Sequence, residues 1–380
     1  MYLTEEQNLV RKTARDFAER EIKPIAQQLD EEERFDVDIV RKMGEIGFFG
    51  MIIPEKYGGK AMKALSYIIA IEELARVDGS HAATLAAHNS LGIRPIYNFG
   101  TEEQKQKYLP ELCSGEGLWA FGLTEPEAGS DSRGTKTTAK LKNGKWIVNG
   151  SKIFITNGST SITKGVTVQA VTGKKENGDK IFSTFLMESG TKGFHAKQMK
   201  RKLMWRASDT AELFFDNCEI PEENLLGEIG QGSKIMLRTL DSGRLSIAAM
   251  GLGCAQGAYE EALKYAKNRK QFGKPISKFQ NTAFKLADMY VKIELARNYL
   301  YKACWLKDNN LPFSMESAIA KLYCSEVAQE VADEAVQIHG GYGLIKDYPV
   351  ERFYRDQRLL RIGEGTSEIQ RLIISRHIGC

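Results

Sequence analysis

The hydrophobic positions of this chain follow two different periods, and the period changes twice along the sequence. In the first third, apolar residues such as Val10 and Ala14 recur at three- and four-residue spacing, which is the period of an amphipathic helix. Thr4 and Thr101 are each followed three residues later by glutamine, a capping-box pattern that opens helices. The pattern predicts an N-terminal helical domain over residues 1–117.

The middle of the chain has the alternating apolar and polar positions of β-strands. All four Asn-Gly dipeptides lie between Asn143 and Gly178, and Asn-Gly between alternating apolar residues indicates a β-hairpin. The segments that read as strands are KLKNGKWIVNG, SKIFITNG, GVTVQAVT, KIFSTFLME and TAELFFDNCEI. We predict an antiparallel β-domain over residues 118–222.

The last part of the chain returns to the helical period in three long segments bounded by Pro275, Pro312 and Pro349. Short connections between long amphipathic helices favour an antiparallel bundle. We therefore predict a four-helix-bundle-like domain over residues 223–380. The predicted fold class is α+β multidomain, with a helical domain, a β-domain and a second helical domain in that order.

The composition is that of an ordinary globular protein and excludes several classes of function. The 380 residues are 42% hydrophobic and 27% charged, and the net charge of +4 is too small and too evenly spread to indicate a nucleic-acid partner. The sequence contains no run of about 18 apolar residues, the length that would indicate a membrane span. The first residues include acidic side chains and lack the apolar core of a secretion signal, so we expect a cytoplasmic protein.

Cysteine and histidine give no indication of a metal site. The six cysteines form no C-x-x-C pair, and the five histidines are scattered without metal-ligand spacing. We expect reduced, structural cysteines and no bound metal.

The stretch from Arg361 to Gln370 contains two glutamates in different local settings. Ser367 followed three residues later by Gln370 is a capping-box pattern, which places Glu368 in a first helical turn, where the helix dipole stabilises a carboxylate. Glu364 precedes that helix on a loop between two glycines. It is either a functional carboxylate that reaches into a cavity or an ordinary glutamate of a solvent-facing loop.

Two glycine-rich segments resemble ligand-binding loops without matching them. GEIGQGSK, which begins at Gly227, has serine and lysine in the wrong order for a phosphate-binding loop. IHGGYG, which begins at Ile338, follows a predicted helix. It is therefore either a simple helix cap or a place where the backbone approaches a ligand closely.

Six motifs together resemble the acyl-CoA dehydrogenase family, in the family's order and spacing and over essentially the whole chain. The motifs are GLTEPEAGSD, KIFITNG, RASDTAELFFDN, NRKQFGKPI, QIHGGYG and YRDQRLLRIGEGTSEIQ. The resemblance implies the family's three-domain fold, an FAD bound between the β-domain and the C-terminal bundle, and assembly as a homotetramer.

The resemblance also implies which residues contact the cofactor and the substrate. The flavin ring would be lined by Phe121, Leu123, Thr124, Phe154 and Thr156. The FAD of a neighbouring subunit would be contacted, around its adenylate half, by Arg269, Gln271, Phe272, Gln337, Gly340 and Gly341. Thr366 and Glu368 would touch the same cofactor, and Ser130 and Arg244 would contact the thioester arm of the acyl-CoA.

The family's catalytic base is a glutamate, most often at the position of Glu364. It would remove a proton from the carbon next to the thioester carbonyl while the next carbon gives a hydride to the flavin. Some relatives place the base at the position of Gly243, which cannot serve here, and relatives that bind a dicarboxylic acyl group carry an arginine near Ala82. The resemblance therefore implies a single α,β-dehydrogenation of an acyl group without a second carboxylate.

The predicted activity is FAD-dependent conversion of an acyl-CoA thioester to the trans-2-enoyl-CoA, with electrons passed to an electron-transferring flavoprotein. A short or branched acyl chain is expected. Two alternatives stay open. One is an acyl-CoA oxidase, in which oxygen reoxidises the flavin, and the other is a non-catalytic flavoprotein of the same fold that binds nucleic acid.

Overall fold

The N-terminal domain is built from short helices whose ends match their sequence signals. The computed structural model describes residues 2–380 and begins with α1 (Glu5–Phe17), α2 (Ala26–Glu32), α3 (Val37–Glu45), α4 (Ala64–Ala75), α5 (Gly79–Ala87), α6 (Arg94–Phe99) and α7 (Glu102–Ser114). Both predicted capping boxes at Thr4 and Thr101 are confirmed. Every residue of α4 is buried, which places this helix in the centre of the domain.

The middle domain contains one eight-stranded sheet. Its strands are β1 (Leu118–Gly122), β2 (Thr138–Lys142), β3 (Lys145–Thr156), β4 (Thr163–Lys174), β5 (Lys180–Glu188), β6 (Phe194–Gln198), β7 (Thr210–Pro221) and β8 (Leu225–Leu226). The strand order is β6-β7-β3-β2-β4-β5-β8, and β1 pairs with β4. Asn143 lies in the turn of the β2–β3 hairpin and Asn177 in that of the β4–β5 hairpin, as the Asn-Gly signal predicts.

The sheet is not purely antiparallel. β1 pairs with β4 in parallel, and β2 makes one further parallel pair with β4. β1 lacks the alternating signal, because LWAFG is a short apolar run, a pattern that does not distinguish a buried strand from a buried helical segment. The other two Asn-Gly pairs mark no hairpin, since Asn149 lies inside β3 and Asn157 directly follows it. The hairpin signal therefore locates the domain without locating all of its strands.

The C-terminal domain is a bundle of three long helices with two shorter ones. The helices are α8 (Gly232–Asn268), α9 (Gln280–Asp308), α10 (Ser314–His339), α11 (Val350–Leu360) and α12 (Ser367–His377), and the hairpin of β9 (Lys270–Gln271) and β10 (Lys274–Pro275) joins α8 to α9. α10 packs against the other four helices, and α8 also packs against α4. The two helical domains therefore share one hydrophobic core, while the sheet has its own.

No helix within residues 2–380 is long and apolar enough to cross a membrane. The six cysteines form no disulfide in the described chain, and five of them are buried. These five lie in the hydrophobic cores, which agrees with the structural role predicted for them.

Candidate active site

The loop that carries Glu364 has an unusual backbone conformation, which is held by the first turn of α12. Glu364 and Gly365 have positive φ angles of 53° and 96°, in a region that favours glycine. The Gln370 side chain donates hydrogen bonds to the carbonyls of Gly365, at 2.9 Å, and Glu364, at 3.3 Å. The φ angle of Gly365 favours glycine, and a Cβ there would also lie 2.7 Å from that Gln370 nitrogen.

The cap of α12 differs from the prediction. Thr366, rather than Ser367, is the N-cap residue, and its hydroxyl accepts a hydrogen bond from Ile369 N–H at 3.3 Å. The capping-box interpretation of Ser367 and Gln370 was wrong, because Gln370 binds the carbonyls of the Glu364 loop instead of a cap N–H. Glu368 does lie in the first helical turn, where it is exposed.

Lys321 contacts the same loop from α10. Its side chain is fully buried, and its Nζ donates a hydrogen bond of 2.7 Å to the carbonyl of Gly365. Burial lowers the pKa of Lys321 to about 8, and the charge of Glu364 opposes this shift. We did not predict Lys321, although a lysine inside the apolar run AIAKLY is a usable signal.

The Glu364 carboxyl group occupies a space that exists because residue 243 is glycine. A Cβ at Gly243 would overlap Glu364 Oε2 and would lie 3.1 Å from Leu91 Cδ2. This Oε2 is buried and has no hydrogen-bond partner in the described part of the chain. Burial raises the pKa of Glu364 to about 7, while the positive charges of Lys321 and Arg244 oppose the rise.

Arg244 follows Gly243 on α8 and is 5% exposed. It pairs with Asp241, and its Nε is buried without a hydrogen-bond partner among residues 2–380. A carboxylate that titrates near neutral pH and has a free oxygen can accept a proton from a bound molecule. This part of the structure therefore has the chemistry of a general base at Glu364, with a buried cation beside it.

The residues predicted to line the flavin ring lie on β1, on the segment after it and at the end of β3. Phe154 has a φ angle of 60° and is 63% exposed, at an irregularity in the β3–β7 pairing between Lys152 and Ile155. A bulge of this kind redirects a side chain. The other four residues of this group are half-buried, namely Phe121, Leu123, Thr124 and Thr156.

A second group of predicted cofactor residues lines one cavity of about 550 Å³ at the end of α10. The group consists of Arg269, Gln271, Gln337, Gly340 and Gly341. A Cβ added at either glycine would meet no atom within 4 Å, so the space in front of the backbone is open. Phe272 does not line this cavity and is 92% exposed. The structure thus groups five of these six residues.

The two predicted substrate contacts lie in different domains. Ser130 is exposed on the segment between β1 and β2, whereas Arg244 is buried in α8 beside Glu364. Thr366 is half-buried at the start of α12. Among residues 2–380, no cluster of histidine, cysteine and acidic side chains could hold a metal ion.

A buried ion pair in the middle domain was not predicted. Lys152 of β3 and Glu125, which follows β1, lie 2.8 Å apart with side chains 0% and 5% exposed. The usable signal is a lysine at an inward position of the strand segment SKIFITNG. Both residues belong to the segments that carry the predicted flavin-lining side chains.

The fold and this site define a three-domain α+β protein with a buried carboxylate where its two helical domains meet. Three family models match consecutive parts of the chain: the acyl-CoA dehydrogenase N-terminal domain over residues 4–116, the middle domain over 120–218 and the C-terminal domain over 230–379. The chain belongs to the acyl-CoA dehydrogenase family.

Individual relatives are similar over nearly their whole length. The short-chain specific acyl-CoA dehydrogenase of Clostridium acetobutylicum is 50% identical, over 99% of this chain and 98% of that protein. Butyryl-CoA dehydrogenase from Megasphaera elsdenii has a TM-score of 0.96 at 43% identity, over 100% and 99% of the two chains. A chain from the structure described as electron transferring flavoprotein of Acidaminococcus fermentans has a TM-score of 0.96 at 47% identity, over 100% and 99%.

The family, the fold class and the class of enzyme predicted from the sequence are confirmed. This chain is an oxidoreductase that acts on acyl-CoA, and its cofactor is FAD. The non-catalytic alternative is therefore set aside.

Proposed function

We propose that this chain converts a short-chain acyl-CoA to the trans-2-enoyl-CoA with Glu364 as the catalytic base, and that an electron-transferring flavoprotein takes the electrons. One observation carries the proposal. The Glu364 carboxyl group has a pKa raised to about 7 and a buried oxygen without a partner in the described chain, in a space left free by Gly243.

Burial makes Glu364 a stronger base than an ordinary glutamate. Each pKa unit of mismatch with a carbon acid costs about 1.4 kcal/mol, so an unperturbed glutamate is poorly suited to remove a C–H proton. The raised pKa removes part of that mismatch, and an acyl chain that excludes water would raise the pKa further. Lys321 and Arg244 act in the opposite direction and limit this rise, so that the pKa of Glu364 stays at about 7.

The backbone of Glu364 offers a donor for the substrate carbonyl. The Glu364 N–H takes part in no backbone hydrogen bond within the described residues. A hydrogen bond from this group to the thioester oxygen would stabilise the negative charge that develops as the proton leaves. We assign Glu364 both roles, with its side chain as the base and its N–H as the donor.

The residues of the chain fit FAD, which supplies the hydride acceptor when bound. The exposed ring of Phe154 offers an aromatic face, and Gly340 and Gly341 leave open space beside the Arg269 side chain. The residues that we assign to the cofactor are Phe121, Leu123, Thr124, Phe154, Thr156, Arg269, Gln271, Phe272, Gln337, Gly340, Gly341, Thr366 and Glu368.

We assign the thioester arm of the substrate to Ser130 and Arg244. The unpartnered, buried Nε of Arg244 is a free donor close to the proposed base and supports this assignment.

The short acyl chain follows from the relatives, since one is short-chain specific and another acts on butyryl-CoA by name. The likeness to a chain from the A. fermentans structure supports electron-transferring flavoprotein as the acceptor.

We further propose that the chain forms a homotetramer. Large apolar side chains on the outer face of α9 are exposed, namely Phe284, Tyr290, Val291 and Leu295, as is Phe272 on the β9–β10 hairpin. Exposed apolar patches of this kind are typical of subunit interfaces.

The boundaries that we propose for the domains are 1–117, 118–222 and 223–380, although β8, which pairs with β5, lies past the second boundary.

An anaerobic absorbance titration of the purified holoenzyme with acyl-CoA thioesters of graded length tests the proposal. We expect a four-carbon thioester to bleach the oxidised flavin band and longer thioesters to bleach it less. Glu364→Gln should keep FAD and bind the thioester without bleaching. Bleaching of that variant at the wild-type rate would overturn the role of Glu364, and rapid reoxidation by air would favour the oxidase alternative.

A further inference from the structure

The buried ion pair between Lys152 and Glu125 lies at the junction of two segments. Lys152 Nζ donates a hydrogen bond of 2.8 Å to Glu125 Oε1 and another of 3.1 Å to the backbone carbonyl of Leu123. The Lys152 side chain is 0% exposed and that of Glu125 is 5% exposed. The ammonium group therefore connects strand β3 to the chain that leaves β1.

Glu125 closes the segment between β1 and β2 into a loop. Its Oε2 accepts a hydrogen bond of 2.6 Å from Lys136 N–H, and its Oε1 accepts one of 3.1 Å from Thr137 N–H. The loop closed in this way begins beside Thr124 and contains Ser130. One carboxylate thus fixes both ends of the loop that carries the proposed contacts to the flavin and to the thioester arm.

Lys152 also stands at the bulge that turns Phe154 outward. The pairing of β3 with β7 shifts between Lys152 and Ile155, and Phe154 between them has a positive φ angle of 60°. The Ile153 N–H donates to the Thr124 carbonyl at 3.0 Å, so the bulge and the loop are joined at two adjacent points. A change at Lys152 would therefore alter both walls of the proposed flavin site.

A charged pair is a costly way to fill a buried position. Burial lowers the pKa of Lys152 to about 8 against the attraction of Glu125. Burial also opposes ionisation of Glu125, but the charge of Lys152 and the hydrogen bonds it accepts keep its pKa below the ordinary value. Apolar residues of similar volume often stabilise a core as well as a buried ion pair or better. Stability alone does not explain the pair, whereas fixed geometry does.

We propose that Lys152 and Glu125 are positioning residues, which set the shape of the 123–137 loop and of the Phe154 bulge and so place the flavin and the thioester arm relative to each other. The inference rests on the proposed function for the assignment of Phe154, Thr124 and Ser130 to these ligands. Both side chains are buried and paired with each other, so we assign neither of them a contact with the reacting atoms.

The test compares Lys152→Met, Glu125→Gln and the double variant with two controls. Glu127→Gln breaks the exposed Lys136–Glu127 pair of the same loop. Lys145→Met, on the same strand as Lys152, breaks the exposed pair between Lys145 and Glu219 of β7. FAD release from each holoenzyme is followed by flavin fluorescence, together with the visible circular dichroism of the bound flavin. KM and kcat are measured at saturating FAD.

We expect the single variants at Lys152 and Glu125 to release FAD about tenfold to a hundredfold more readily and to raise KM, because charged hydrogen bonds of this kind are lost. The dichroism of the bound flavin should also change. The two controls should match the wild type in all these measurements.

The double variant separates positioning from folding. It buries no unpaired charge, so we expect it to fold, yet its glutamine has one acceptor oxygen where Glu125 uses two. It should therefore keep weakened FAD binding and an altered dichroism. The proposal is overturned if the double variant, or a folded single variant, shows wild-type FAD release, dichroism and KM with only a lower melting temperature.

These readouts also distinguish this proposal from the proposed function. FAD release and dichroism are measured without substrate. If no thioester bleached the wild-type flavin, the proposed function would fail while the FAD measurements still decided the role of Lys152 and Glu125.

Discussion

Lys321 Nζ donates a hydrogen bond of 2.7 Å to the backbone carbonyl of Gly365, the residue that directly follows Glu364. The contact has two effects on the proposed base. It holds the loop in its positive-φ conformation, and it places a buried positive charge where it opposes the rise in the pKa of Glu364.

Lys321→Met should move the pH dependence of flavin reduction to higher pH. The neutral side chain no longer favours the Glu364 carboxylate, so the pKa of Glu364 should rise above about 7. Stopped-flow reduction of the flavin by butyryl-CoA, followed from about pH 5.5 to about pH 9, measures the midpoint of this pH dependence. Lys292→Met, which removes an exposed pair with Glu330, is the control. An unchanged midpoint for Lys321→Met would contradict the electrostatic role.

The wild-type enzyme should gain activity as pH rises through about 7, where the Glu364 carboxyl group loses its proton. Protonated Glu364 cannot accept the substrate proton, so flavin reduction should be slow below this pH and reach a plateau above it. The measurement is kcat/KM against pH, which reports the free enzyme. A plateau that extends down to pH values near the ordinary glutamate pKa of 4.5 would show that burial does not act as described.

Glu364→Gln should stabilise the folded protein at alkaline pH and have little effect in acid. Because the folded pKa is about 7 against an ordinary value of 4.5, the folded state binds the proton more tightly. The favourable contribution of the protonated group is complete below pH 4.5 and is lost as pH rises through 7. Removing the charge should therefore add about 1–3 kcal/mol to the free energy of unfolding at pH 8. Thermal unfolding at pH 8 and at pH 4.5 measures the difference, and an equal gain at both would contradict the assignment.

Gly243→Ala should slow flavin reduction without loss of FAD. The added Cβ overlaps Glu364 Oε2, so the carboxylate must move, and a displacement of about 1 Å at a reacting group costs about a hundredfold in rate. Gly173→Ala in β4 is a matched control, since its Cβ would meet its first neighbour at an ordinary 3.7 Å. Single-turnover reduction and flavin absorbance separate the chemical step from cofactor loss. A rate equal to that of the control would show that the crowding is relieved elsewhere.

The order of the three domains could be read from the sequence because each has its own hydrophobic period. Strand β1 could not, since its five residues lack alternation and it pairs in parallel with β4, which lies about 45 residues further along the chain. Local patterns carry no information on such a non-local pairing.

The proposed base was also accessible from the sequence, through the glycines around Glu364 and the family motif. Its surroundings were not. Lys321 and Leu91 approach the site from distant parts of the chain, and their placement depends on how the helices pack. The Gln370 side chain shows the limit even locally, because the capping pattern did not reveal that the loop carbonyls would compete for its amide.

The overlap between Gly243 and Glu364 has a consequence for how the family diversified. The resemblance places the base of some relatives at the position of residue 243, and in this structure that position and the Glu364 carboxylate claim the same volume. A chain with carboxylates at both positions would have to hold the Glu364 side chain in a different conformation from the one seen here. The glycine at position 243 and the glutamate at position 364 therefore depend on each other, and a change at one of them changes the room available to the other.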